Sequence, residues 1–192
     1  GTSNMNVKNL VIYHDVNNSE TYPFTKVEHL EMKEGVTVSP VIRSKDLVSV
    51  DIPSTIVNVL GFGHDMYVPE SSFGIEFNIS NGANAKVVDG YLTNLDGSVI
   101  YKCNTVGTDL HLDYDVVVGN YAFSCYPDTI YFYNDVQSVG ECAFYSTVVV
   151  CENIIKNAGK QSFENSQISG LRGTVDVTGF VQKSAFAGAT FL

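Results

Sequence analysis

"VGNYAF" occupies residues 118–123 and "VGECAF" residues 139–144; "AGKQSF" follows at 158–163 and "VQKSAF" at 181–186. One phrase, a small apolar residue, a turn and a Phe, thus recurs at steps of 21, 19 and 23 residues. A phrase repeated at that interval belongs to an architecture rather than to a single site. Within it the Gly is expected to let the backbone turn, the Ala to permit close approach and the Phe to fill the space between copies. Phe123, Phe144, Phe163 and Phe186 should then stack as a structural ladder along the convex side.

A second phrase lies upstream of each Phe phrase. In "TIYFYNDVQSV" (129–139) Ile130 and Phe132 alternate with Tyr131 and Tyr133, and Val136 and Val139 follow. "DLHLDYDVVV" (109–118) puts Leu110 and Leu112 in the same seats, then Val116 and Val118. Alternation with period 2 predicts a short strand with one buried face. The frame extends backwards through Val50 and Ile52, Leu30 and Met32, and Leu10 and Ile12, and also takes in Phe77 and Ile79, Val149 and Cys151, and Val175 and Val177. Numbered by the first seat, the series is 10, 30, 50, 77, 110, 130, 149 and 175. A unit this small cannot bury its own apolar face, so copies must stack strand upon strand. The expected fold is a mainly β solenoid with short helical or irregular turns and about eight rungs, roughly 34 Å long at the usual strand spacing.

Two longer steps predict insertions. "LGFGHDMYVPESSFG" (60–74) is rich in turn formers and is read as a loop. In the 87–103 segment, "YLTN" and "SVIYK" flank Leu95-Asp96-Gly97, which predicts a β-hairpin near 91–102, projecting from the stack or capping one rung. Residues 1–192 are read as one solenoid domain, with 1–26 as a weak N-terminal rung or cap.

Composition bounds the function. Apolar residues make up 44% and charged residues 17% of the 192 residues, which fits an ordered globular chain. No apolar run approaches the ~20 residues that span a bilayer, and no signal-peptide pattern is visible. Eleven basic residues face 21 acidic ones, a net charge of −10 without a basic cluster, which argues against nucleic acid and anionic membrane as partners. Cys103, Cys125, Cys142 and Cys151 lack metal-ligand spacing and are read as buried thiols, and no cofactor or metal site is expected.

"VGNYAFSC" and "SKDLVSVDIPSTIVNV" resemble the leucine-rich repeats of the BspA-like family of bacterial surface and secreted proteins. Val118, Gly119, Ala122 and Phe123 match the first part of that family's repeat, and Leu47, Val50, Ile52 and Pro53 the second. The inserted segment 87–102 resembles one common in the family. "VSPVIRSKDL" departs from the pattern, with Ile42 and Arg43 in place of the Ala-Phe pair, and Ser162 replaces Ala in "AGKQSF". The resemblance implies a curved, right-handed leucine-rich-repeat solenoid, secreted or attached to a cell surface. It further implies binding of other proteins through the strand-lined concave face, host matrix proteins among them.

Catalytic constellations have little support. His14, His29, His64 and His111 stand near no nucleophile elbow and at no i,i+4 spacing with each other. His64-Asp65 is read as part of a loop, and Asp109, Asp113, Asp115 and Asp135 as solvated strand-edge acids, since no calcium-loop pattern surrounds them. The chain is therefore read as no enzyme. The outward-facing row is the better candidate: Asp109, His111 and Asp113, then Tyr131 and Tyr133, then Val150, with Tyr suited to contact surfaces. Towards the N-terminus the same face carries His29, Glu31, Lys33, Ser49, Asp51, Glu76 and Asn78. The expected function is a non-catalytic scaffold for protein–protein interaction, adhesin-like. The alternative is a structural spacer within a longer repeat array. The chain closes on "AFAGATFL", inside a repeat phrase, and an uncapped end is expected to allow weak self-association.

Overall fold

The computed structural model describes residues 7–16, 24, 26–63, 74–104, 109–123, 129–170 and 176–192. They form a β-solenoid of about eight turns. Its first column opens with β1 (Asn9–Ile12), β2 (His29–Met32), β3 (Ser49–Ile52) and β4 (Glu76–Ile79), all parallel and in sequence order. A meander follows: β5 (Lys86–Val88), β6 (Tyr91–Thr93) and β7 (Val99–Cys103), antiparallel to one another. The solenoid then resumes with β8 (Leu110–Leu112) and β9 (Val116–Val118), and with β10 (Ile130–Phe132) and β11 (Val136–Val139). β12 (Val148–Cys151), β13 (Gln167–Gly170) and β14 (Thr190–Phe191) complete the first column as β14-β13-β12-β10-β8.

The register follows the apolar seats. Leu10, Leu30, Val50 and Phe77 stand side by side in the first sheet. Leu110, Ile130, Val149, Ile168 and Phe191 do so in the second. A slip of one residue would turn every core side chain to solvent, so burial alone locks this alignment. Among the described residues no helix occurs, and of the helical or irregular turns expected at the rung corners the second kind is found, as hydrogen-bonded turns.

The last rung departs from the sequence reading. The first column continues through Ile168 and Phe191, while Val177 and Val181 bridge Ile155 and Ala158 in the second column; Val175 lies outside the described residues. Both columns carry the same V-x-V alternation, so period 2 alone does not say which column a segment joins.

The hairpin also sits differently. β6 and β7 pair as expected, but they neither project nor cap: β7 joins β9 in parallel within the second column. Its consecutive residues Ile100 and Tyr101 fill two different cores. The meander is a wall between an N-terminal core around Leu30, Val50, Ile56 and Phe62 and a C-terminal core around Phe123, Phe132, Phe144 and Phe163.

The repeated phrase turns at its fourth residue, not at its Gly. Tyr121, Cys142, Gln161 and Ser184 all have left-handed backbones, with φ of 57°, 51°, 53° and 60°. Such a conformation costs an L-residue about 1–2 kcal/mol. At two of the four positions it is offset by rung-to-rung bonds: the Tyr121 N–H donates to Glu141 O at 2.9 Å, and the Cys142 N–H to Lys160 O at 3.1 Å. The glycines serve close approach. A Cβ on Gly119 would lie 3.0 Å from Ile100 O, on Gly140 2.5 Å from Asn120 N, and on Gly159 2.6 Å from Val139 O. Beside these turns Phe123, Phe144, Phe163 and Phe186 stack with ring centroids 5.1, 5.0 and 5.1 Å apart. The first three are fully buried, so the ladder runs inside the rod.

Candidate functional site

In β8, β10 and β12 the odd and even residues part company. Leu110, Leu112, Ile130, Phe132, Val149 and Cys151 are buried. Between them, His111 is exposed and Tyr131 and Val150 are half-buried, with His111 paired to Tyr131 and Tyr131 to Val150. The in-register stack thus turns a 20-residue sequence spacing into side-by-side contact.

The rings use that contact. His111 and Tyr131 lie 4.7 Å apart between centroids with planes at 6°, a spacing close to that of the strands themselves. Tyr133 is nearly parallel to both, 5.8 Å from His111 and 6.3 Å from Tyr131. His111 Nδ1 and the Tyr133 hydroxyl are hydrogen-bonded at 2.6 Å. Three aromatic side chains therefore hold one another in a single orientation on an open strand face. Such a surface loses little side-chain freedom on contact with a partner. Asp109 and Asp113 flank β8, both exposed.

Beside His111 a cleft of about 630 Å³ opens between β8 and the meander. His111, Asp113, Tyr114 and Asp115 line one wall; Lys86, Val88, Asp89, Tyr91 and Asp96 are among those lining the other. Burial, helped by the neighbouring Asp113 carboxylate, pushes the Tyr114 phenol above its ordinary pKa. Asp96 accepts from the Ser98 hydroxyl and N–H, which hold its carboxyl below the usual range. Asp115 accepts from Gln137 Nε2 at 3.0 Å.

The N-terminal face is in register too, with Val11, Glu31, Asp51 and Asn78 in one row. Its polar groups largely bond one another: His29 Nδ1 to Ser49 Oγ at 2.8 Å, Asn78 Nδ2 to Asp51 Oδ1 at 2.8 Å, and Lys33 to Glu31. His64 and Asp65 lie outside the described residues. Among the described residues no three His, Cys, Asp or Glu side chains converge as metal ligands would. Cys103, Cys142 and Cys151 are buried, and Cys125 is outside the described residues.

The cleft is not legible in the sequence, because the segment that forms its far wall is expected there to project from the stack or to cap one rung. A second unforeseen feature is a polar cluster across the insertion. The Arg43 guanidinium donates from Nε to the Tyr121 hydroxyl at 2.5 Å and pairs with Glu141 at 3.0 Å, and Lys160 reaches Glu141 at 3.1 Å. Tyr121 is fully buried, and desolvation raises its phenol far above the ordinary value. Arg43 was visible as a departure from the repeat; its partners, 78 and 98 residues away, were not.

No family model matches the chain, and no curated protein sequence matches it. Among solved structures, the crystal structure of the pneumococcal vaccine antigen PcpA is similar, with a TM-score of 0.47 and 16% sequence identity. The similarity covers 91% of this chain and 46% of that one, so the chain spans less than half of that protein's length.

Proposed function

We propose that this chain is a non-catalytic scaffold that binds another protein through its strand-lined face, as a secreted or cell-surface repeat module of the BspA-like leucine-rich kind. The observation that carries the reading is the His111, Tyr131 and Tyr133 stack. Tyrosines concentrate binding energy where they are rigid and exposed at one end, and here both are fixed by the histidine between rungs. The acidic balance of the chain favours a partner with basic surface. Host matrix proteins are the partner class that the family resemblance suggests.

The test is direct binding of the purified chain to immobilised fibronectin and fibrinogen, beside a Tyr131→Ala/Tyr133→Ala variant that keeps the parent's unfolding midpoint. Saturable binding by the parent, reduced at least tenfold in the variant, supports the reading. Binding by neither form leaves the spacer alternative ahead.

A further inference from the structure

The cleft beside His111 lies between two sheet edges. β8 is the terminal strand of the second sheet of the first column, and β5 is the terminal strand of the meander sheet. In the β8–β10 pair, the Leu110 N–H donates to Thr129 O at 2.8 Å and Leu112 O accepts from the Tyr133 N–H at 2.9 Å. Leu110 stands opposite Ile130 and Leu112 opposite Phe132. In a parallel ladder such residues turn both backbone groups to one neighbour, so the N–H and C=O of His111 between them point the other way. They point out of the sheet edge, on the side of the cleft that His111 lines. Among the described residues no strand pairs there: β4 belongs to a separate sheet.

An open edge accepts another strand unless something blocks it. β8 and its flanks, "DLHLDYD", contain no Pro and no Lys. What they do contain selects the occupant. Asp109, Asp113 and Asp115 border the strand, and Asp89 and Asp96 face it across the cleft, against Lys86, the one Lys or Arg among the described lining residues. A second copy of this chain pairing edge to edge would bring the same aspartates together, which like-charge repulsion disfavours. An extended basic segment gains on both counts, through main-chain hydrogen bonds and through charge.

We propose that the cleft receives an extended, lysine- or arginine-bearing segment of a partner protein, added as a strand to the His111 backbone at the free edge of β8. The proposal rests on the protein-binding reading above but uses the backbone edge of β8 rather than the Tyr131 and Tyr133 rings, so the two can fail separately.

The experiment uses the whole chain, isotope-labelled, and an eight-residue peptide of alternating Lys and Val as probe. Two controls accompany it, an alternating Glu and Val peptide and a fully N-methylated Lys-Val peptide. The expected result is that exchange of the His111 amide slows by at least about tenfold on saturation with the Lys-Val peptide. The N-methylated peptide keeps the charge but loses the donors, and should bind about tenfold more weakly. Asp89→Asn/Asp113→Asn should weaken the Lys-Val peptide several-fold and leave the unfolding midpoint in place.

Unchanged His111 exchange, equal binding of the N-methylated peptide, or equal binding of the Glu-Val peptide each overturns strand addition by a basic segment. Protection of His111 that rises with concentration of the chain alone assigns the edge to a second copy and also overturns it. Matrix binding that Tyr131→Ala/Tyr133→Ala abolishes while the peptide has no effect leaves the scaffold reading standing and this one refuted.

Discussion

Gly140→Ala adds one methyl group at the tightest point between two rungs. The new Cβ would lie 2.5 Å from Asn120 N, 2.6 Å from Asn120 Oδ1 and 2.6 Å from the Gly119 carbonyl carbon. None of the three can swing away. Two are backbone, and the Asn120 side chain is held at both ends, accepting from the Glu141 N–H at 2.8 Å and donating to Leu60 O at 2.7 Å. Carbon needs about 3.5 Å, so the rungs must part by roughly 1 Å. Overpacking absorbed by backbone costs about 1–3 kcal/mol, and loss of the Asn120–Glu141 bond adds about 1 kcal/mol. The expected destabilisation is therefore about 3 kcal/mol. Urea unfolding followed by far-ultraviolet circular dichroism, a suitable probe for a chain without Trp, reads it. At a slope of about 2 kcal/mol per molar, the midpoint falls by roughly 1.5 M. Gln182→Ala is the control: a side chain is already tolerated at that place in the fourth phrase, so the change stays within about 1 kcal/mol. A Gly140→Ala loss as small as the control's would refute the claim that rung spacing depends on the absent side chain.

Three further outcomes are expected. Phe144→Ala removes a ring stacked on Phe123 and Phe163 and edge-on to Phe132, and should cost about 3–5 kcal/mol; the same change at half-buried Phe186 should cost less than half of that, both by urea unfolding. Asp15 is held below its ordinary value of 3.8 first by the Thr37 hydroxyl and then by the Val38 and Thr37 N–H groups, and Glu34 below 4.5 by the Ser54 hydroxyl and N–H. With folded values below unfolded ones, their contribution is complete above those ordinary values and is lost as pH falls through the folded values; Asp15→Asn/Glu34→Gln should flatten the decline of Tm as pH falls below those ordinary values. Burial pushes the Cys151 thiol up to about 12, so native Cys151 should resist iodoacetamide at neutral pH, while chain unfolded in urea is alkylated there by peptide mapping.

Seven of the eight strand seats read from the alternation, 10 through 149, are occupied in register, because an in-register parallel stack imposes the same inward demand on every rung. The eighth was misplaced. "QISG" offers one buried apolar residue, Ile168, and so carries a weaker alternation than "TVDV", whose Val177 joins the other column. Sequence preference assigns left-handed backbone to Gly, whereas here Tyr121, Cys142, Gln161 and Ser184 adopt it, and bonds between rungs hold Tyr121 and Cys142 there. The ring row was legible for the same reason as the strands: residues one repeat apart become neighbours. The cleft was not, since it depends on where a meander docks, and no periodicity encodes that.

The insertion that interrupts the first column is also what makes the open edge persist. If β4 and β8 were consecutive rungs, the free groups of His111 would be bound within the sheet and β8 would have no edge. The meander prevents this without letting the two halves drift. β7 joins the second column through β9, Tyr101 and Ile100 anchor it in both cores, and Asn120 holds Leu60 across the join. Arg43 adds a cation over the Tyr121 ring, 5.2 Å from its centroid, while paired to Glu141. Continuity is thus carried on the turn side, where Gly61 bridges Asn120 directly, and the opening is confined to the strand side. A gap braced in this way is preorganised, and preorganisation is what allows a short extended segment to bind without first ordering its receptor.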